Sequence, residues 1–149
     1  MELLPNSMSF RVISTLDVLD ESEIPHDYTG RVRRTFEGSG SYIAWFTNGM
    51  LDNPDRNHPA YRRFRSDGQV KYEMFYEHGE LQDPNDRDAA VRGYFANGRL
   101  HYEEHYRDGK RSDSANGSPA VSKYRSDGTL RHQLRYRNGK RVNGRHSAS

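Results

Sequence analysis

Three separated segments of the chain carry apolar or aromatic side chains at alternate positions. They run Val70, Tyr72, Met74, Tyr76, then Leu100, Tyr102, Glu104, Tyr106, and finally Leu130, His132, Leu134, Tyr136. The positions between them are mostly polar, as at Lys71, Glu73, Arg131, Gln133 and Arg135. A period of two marks a β-strand with one covered face, because successive side chains on a strand project to opposite sides. The segments recur every 30 residues, and so do the glycines around them: Gly68, Gly98 and Gly128 form one series, and Gly49, Gly79, Gly109 and Gly139 another. Ala60, Ala90 and Ala120 open a preceding segment that reaches Phe64, Tyr94 and Tyr124. Four copies are present, the first degenerate. The pattern predicts an all-β protein, an elongated antiparallel meander of repeated β-hairpins. Residues 31–144 form the array, residues 1–30 an N-terminal cap over its first edge, and residues 145–149 a frayed tail. Within the cap, Phe10, Val12 and Ile13 are placed to start a strand, and Asp17, Asp20, Glu21 and Glu23 form an acidic stretch.

Turn chemistry tests the face assignment. With Ser66-Asp67-Gly68 as a three-residue loop, a type I turn followed by a left-handed glycine, Phe64 pairs with Val70 and Ala60 with Met74. The same loop sets Tyr94 against Leu100 and Tyr124 against Leu130. A two-residue type I′ turn at Asn48-Gly49 and its equivalents sets Phe46 opposite Leu51 and Tyr76 opposite Leu81. In the last two copies the tyrosine faces Arg111 or Arg141, whose guanidinium is expected over the ring. The segments Asp52–Arg56, Asp83–Arg87 and Ser112–Asn116 are polar and turn-prone, and read as loops along one edge of the array.

The unit Asn97-Gly98-Arg99-Leu100-His101-Tyr102-Glu103-Glu104-His105-Tyr106-Arg107-Asp108-Gly109-Lys110, with Ser118-Pro119-Ala120-Val121 after it, resembles the MORN-repeat variant of bacterial and phage proteins, which includes antitoxin components of the YwqK type. The likeness covers about residues 38–144. It implies a β-hairpin scaffold and supplies no catalytic residue. The Tyr-x-Gly-x-Trp core of standard MORN units does not occur in this chain, so the membrane and lipid roles attached to those units are not implied.

Composition narrows the chemistry. The chain has 149 residues, no cysteine, and 32% hydrophobic against 30% charged residues, which favours a shallow core. Without cysteine there is no disulfide, thiolate zinc site, iron–sulfur cluster or cysteine nucleophile. Met1-Glu2-Leu3-Leu4-Pro5 has no basic n-region, and no stretch nears the roughly 20 apolar residues of a spanning helix. The expectation is a soluble cytoplasmic protein with no membrane role. His101-Tyr102-Glu103-Glu104-His105 matches a zinc-peptidase string formally. That chemistry needs a helix to bring both histidines to one face, whereas here the string falls on a strand. The remaining histidines are scattered, and no Gly-x-Ser-x-Gly or phosphate-cradling string occurs. A non-enzymatic protein without cofactor or metal is expected.

Charge is the second signal. Residues 121–149 hold eight Lys or Arg against Asp127 alone, for a net +7, and residues 1–120 carry a net −5. Such a dipole steers the C-terminal end toward an acidic protein surface or a nucleic-acid backbone, for which alternating Arg131, Gln133 and Arg135 form a stripe able to track phosphates. Arg131, Arg135, Arg137 and Arg141 are the candidate contact residues. Trp45 and Phe75 are candidate aromatic anchors, because they stand where other copies carry His105 and Arg135, outside the presumed core face. Together with the family resemblance, this gives a protein-binding scaffold, most concretely a bacterial or phage inhibitor of the antitoxin, immunity or anti-defence type. A nucleic-acid-binding protein and a structural component of a larger assembly are the alternatives.

Overall fold

A computed structural model describes residues 14–142; the expectation of a strand from Phe10 to Ile13, the N-terminal part of the cap and the tail fall outside these residues. The strands are β1 (Thr15–Val18), β2 (Gly30–Phe36), β3 (Gly40–Thr47), β4 (Met50–Leu51), β5 (Tyr61–Phe64), β6 (Val70–Met74), β7 (Tyr76–Glu77), β8 (Glu80–Leu81), β9 (Val91–Tyr94), β10 (Leu100–Glu104), β11 (Tyr106–Arg107), β12 (Lys110–Arg111), β13 (Val121–Tyr124), β14 (Leu130–Arg137) and β15 (Lys140–Val142). The main sheet runs β1-β2-β3-β5-β6-β9-β10-β13-β14-β15, with β4 paired to β3, while β7-β8 and β11-β12 form separate two-stranded ribbons. From β2 onward the order is an antiparallel meander, as the repeat predicts. The cap departs from this: β1 lies parallel to β2, Thr15 beside Arg31 and Val18 beside Arg34. A parallel partner needs a crossover, and residues 19–29 supply it with a single 3-10 turn at Glu21–Glu23.

The acidic stretch explains how the cap is held. Asp17 pairs with Arg33 at 2.8 Å, Glu21 pairs with Arg34, and Tyr42 donates its hydroxyl to Glu21 at 2.7 Å. Beneath these contacts lies the apolar cluster of Val18, Val32, Tyr42 and Ala44, with Leu16, Ile24, Tyr28, Phe36, Phe46, Leu51 and Tyr61 packed on it. Aromatic rings continue along the sheet, Tyr42 on Tyr61 with centroids 5.0 Å apart and Tyr61 on Tyr72 at 5.8 Å.

Both turn types have the expected form. Asn48-Gly49, His78-Gly79, Asp108-Gly109 and Asn138-Gly139 all have positive φ at both positions, the requirement of type I′. They set Phe46 opposite Leu51, Tyr76 opposite Leu81, Tyr106 opposite Arg111 and Tyr136 opposite Arg141. At the three-residue loops Phe64 meets Val70, Tyr94 meets Leu100 and Tyr124 meets Leu130. One step further in, the register differs from expectation. Met74 faces Tyr61, not Ala60, because a β-bulge follows each Phe64–Val70-type pair. The bulge adds a residue to the second strand, Lys71, His101 or Arg131, and shifts everything beyond it by one. Ala60, Ala90 and Ala120 are left at the start of their strands with no exposed surface.

Those alanines mark the joint between copies. The N–H of Trp45, Phe75 and His105 donates to the carbonyl of Ala60, Ala90 and Ala120, each at 2.7 Å. Close beside it, a side chain from the polar loops turns inward. Asp83 Oδ1 accepts the N–H of Tyr106 and of Ala90, both at 2.9 Å, and its Oδ2 meets His105 Nδ1 at 2.8 Å. Asp113 repeats this toward Tyr136, Ala120 and Arg135, and Asn53 accepts from Tyr76 at 2.8 Å. These segments are loops, as their composition predicts, and their inward residues also serve the array: buried N–H groups at the joint need acceptors, and a short side chain reaches them. The turn tips stack as well, Gly79 N–H on Leu51 O, Gly109 on Leu81 and Gly139 on Arg111 at 2.7–3.0 Å.

Gly93 has a different role. It faces Tyr72 on β6 and Tyr102 on β10, and a Cβ at this position would lie 2.2 Å from the Tyr102 ring. Its equivalents are Arg63 and Lys123, so the missing side chain answers a local need, the close approach of the tyrosine ring.

Three outcomes follow from these contacts. Gly93→Ala forces the Tyr102 ring aside and lowers unfolding stability by about 1–3 kcal/mol in urea titration, with Tyr102→Ala in the same background recovering part of the loss. Asp83→Ala leaves donors at the joint without acceptors and costs about 2 kcal/mol or more, whereas Asp83→Asn combined with His105→Phe, which recreates the Asn53–Phe75 pair, is less destabilised than the sum of its single changes in a double-mutant cycle. Burial raises the Tyr42 phenol to about 12, assisted by Glu21, and burial likewise raises Tyr61, Tyr76, Tyr94, Tyr102 and Tyr106. A phenol ionises near pH 10 when unfolded, so the stability these groups contribute is complete below about pH 10 and is lost as pH rises toward 12. Urea midpoints measured across that window fall, and fall less in Tyr42→Phe.

Candidate interaction surface

The six candidate contact residues do not form one patch. Trp45 lies on β3 and the four arginines on β14 and β15, with six strand spacings, roughly 29 Å, between β3 and β14. Trp45 is half-buried, and the Arg31 guanidinium sits 5.6 Å from its ring centroid, opposite it in the register. Phe75 is only 8% exposed. Its placement as an exposed anchor is overturned, for a definite reason: β6 ends at Met74, and the Phe75 backbone is tied on one side to Ala90 and on the other to Gln82. The side chain turns into the joint, where His105 and Arg135 stand in the following copies.

Among the arginines, Arg131 is exposed but occupies the bulge between Leu130 and His132. The expected alternation of Arg131, Gln133 and Arg135 is broken there, and the stripe begins at Gln133. Beyond it, Arg135 and Arg137 share that side of the pleat, with Lys140 opposite Arg137. Arg141 lies opposite Tyr136 and so projects to the other side. Arg135 is partly committed: it reaches Asp113 Oδ2 and the Gly117 carbonyl, each at 3.0 Å. The expected cation–π contact is displaced by one copy, since Arg111 pairs with Tyr106 in register but holds its guanidinium 5.6 Å from the Tyr136 ring.

Carboxylates are unevenly distributed along the array. In the earlier copies acids and bases meet, at Arg62–Glu73 (3.0 Å), Arg92–Asp88 (3.0 Å) and Arg111–Glu104 (3.3 Å). In the last copy Arg131, Arg137, Lys140 and Arg141 are exposed, and no carboxylate of the described residues lies within ion-pair distance of them. The column that carries Glu73 and Glu103 ends in Gln133, which donates to Ser122 Oγ at 3.1 Å.

One groove was not foreseen from sequence. It has a volume of about 610 Å³ and is lined by Arg62, Gln69, Val70, Glu73 and Tyr94 with two turn glycines. Its polar groups satisfy one another: Glu73 accepts from Arg62 Nε at 3.0 Å and from the Tyr94 hydroxyl at 3.1 Å. Burial, then the Glu73 charge, raises the Tyr94 phenol. The sequence signal was the Arg62–Glu73 cross-strand pair, legible only once the bulge is known.

The His101–His105 string lies on and just past β10, as expected. His101 stacks on Phe95 at 4.0 Å between centroids, while His105 is buried against Asp83. Among the described residues no three His, Asp or Glu side chains are grouped to hold a metal, and no helix is long and apolar enough to cross a membrane. Compared with known protein families, curated proteins and solved structures, the chain matches none of them.

Proposed function

We propose that this protein is a non-enzymatic binding scaffold that engages an acidic surface of another protein through its last copy. The observation that carries this reading is the uncompensated charge of that copy. Residues 128–142 hold five basic side chains and no carboxylate, whereas the equivalent residues 98–112 hold four against three carboxylates, and of the five only Arg135 is ion-paired. Strands held in a sheet present such charges in a set geometry, so less ordering entropy is lost on binding than with a flexible basic tail. The family resemblance gives the most concrete form: a bacterial or phage inhibitor, of the antitoxin, immunity or anti-defence type, that binds and blocks a macromolecule. A cytoplasmic location accords with that role.

The test compares the full chain with Arg131→Glu/Arg137→Glu/Arg141→Glu, a variant altered only at exposed positions. At low salt, acidic proteins fished from a bacterial cytoplasm bind the natural chain and not the variant. Generic duplex DNA is the second probe. Weak DNA binding that vanishes by physiological salt agrees with an acidic protein partner, whereas tight binding with a steep salt slope replaces this reading by the nucleic-acid one.

A further inference from the structure

The last strand of the sheet lacks a neighbour that every earlier copy has. β6 is flanked by β5 and β9, and β10 by β9 and β13, but β14 is flanked by β13 along residues 130–134 and, among the described residues, by nothing on its other side. β15 pairs only with Arg135–Arg137. The first edge of the sheet, in contrast, is covered by the parallel strand β1. We infer that the open edge of β14 is a docking site for an extended acidic segment of a partner protein, which adds to the sheet as an antiparallel strand. This rests on the protein-binding reading above and specifies its mode.

The interior copies provide the template for the missing strand. In each, the N–H at the position of Arg135 donates to the carbonyl of a fully buried alanine, Ala60, Ala90 or Ala120. In the second and third copies the next residues of that strand are Val91-Arg92 and Val121-Ser122, which stand opposite Met74-Glu73 and Glu104-Glu103. Transferred to β14, a small residue would stand at Arg135, where Val142 is now the register partner, an apolar residue would lie beside half-buried Leu134, and a third would pair with Gln133. Antiparallel alternation makes Gln133 the residue whose N–H and C=O both point outward, two positions from Arg135. The pattern read from the edge is therefore small, apolar, acidic.

The acidic third residue follows from charge. In the interior, the position of Gln133 holds Glu73 or Glu103; at the edge it is neutral, and Arg135 and Arg137 share its side of the pleat. An Asp or Glu in the incoming strand meets no like charge at Gln133 and is drawn by both arginines. The same charges act against the obvious alternative, a second copy of this chain. Two β14 strands paired edge to edge would bring Arg131, Arg135 and Arg137 of both copies together, and like charges across a strand pair destabilise it. Strand addition is a common way for a sheet edge to bind peptides, with backbone bonds giving affinity and alternate side chains selecting sequence.

The experiment uses the full chain and synthetic peptides containing Pro-Ala-Val-Glu-Val-Glu, observed by backbone amide NMR and titration calorimetry. Three probes are compared: this peptide, the same peptide N-methylated at the residue opposite Gln133, and a scrambled peptide of equal charge. Docking as proposed shifts the amides of Gln133 and Arg135, slows their hydrogen exchange, and loses about tenfold or more in affinity on N-methylation or in Gln133→Pro. Equal binding of all three probes overturns strand addition while leaving a basic binding surface standing; binding of none at low salt overturns both. A chain ended at Val142 with unchanged affinity supports the proposal, and one whose affinity rises many-fold shows that the chain's own last residues fill the edge, which overturns it. Sedimentation at high concentration decides the remaining occupant: a monomer supports the proposal, and a dimer abolished by Gln133→Pro overturns it.

Discussion

The array is held together by one recurring hydrogen-bond arrangement, in which a side-chain oxygen of one copy accepts backbone N–H groups of the next. Asn53, Asp83 and Asp113 each reach 23 residues forward, to Tyr76, Tyr106 and Tyr136. A chain with only 32% hydrophobic residues has too little apolar surface for a deep core, so the joints between copies must be polar and yet fully paired. A carboxylate suits the task because its two oxygens serve several donors, and an ionised acceptor makes stronger bonds than a neutral one. The fully buried alanines are the steric counterpart, since a larger side chain would push the donor and acceptor strands apart.

The third partner at each joint changes along the chain, and the change tracks the surroundings. Next to the cap, where the apolar cluster is thickest, the copy that uses Asn53 carries Phe75 at this position. One copy on, Asp83 takes buried His105, and at the end Asp113 takes the partly exposed Arg135. The partner passes from a phenyl ring through an imidazole to a guanidinium as water comes closer. Stability is therefore distributed unevenly, with an apolar cluster beneath the ion pairs of the cap end and none beneath the Arg135–Asp113 pair of the far joint, which is weaker in solvent.

Much of the fold was legible because two independent periodicities agreed. Alternation located the strands, and the glycine series at 30-residue spacing fixed the turns, whose chemistry then set the cross-strand pairs from Phe46–Leu51 to Tyr136–Arg141. Three features resisted. The bulge at Lys71, His101 and Arg131 has no local signature, since a lysine, a histidine and an arginine occupy it, and it misplaced Ala60 and the arginine stripe together. The inward role of Asp83 and Asp113 was hidden because aspartate in a turn-rich segment reads equally as solvated. Phe75 looked exposed because the copies after it carry polar side chains, His105 and Arg135, at this position; the joint accepts either kind according to what faces it. Of the candidate surface, the basic character of the last copy was visible in composition, while the division of its arginines between two sides of the pleat required the register.

Since every joint spans a constant offset, the copies are interchangeable units. Removing or duplicating one whole period in the interior returns the same donors to the same acceptors, and leaves both the cap and the terminal strand as they were. The protein's length is thus a countable variable, open to tandem duplication and loss, and each change would move the two dissimilar ends nearer or farther apart by two strand widths. In such a design the separation between ends is itself heritable, set in discrete steps by unequal recombination within the gene, without any new side-chain chemistry having to arise.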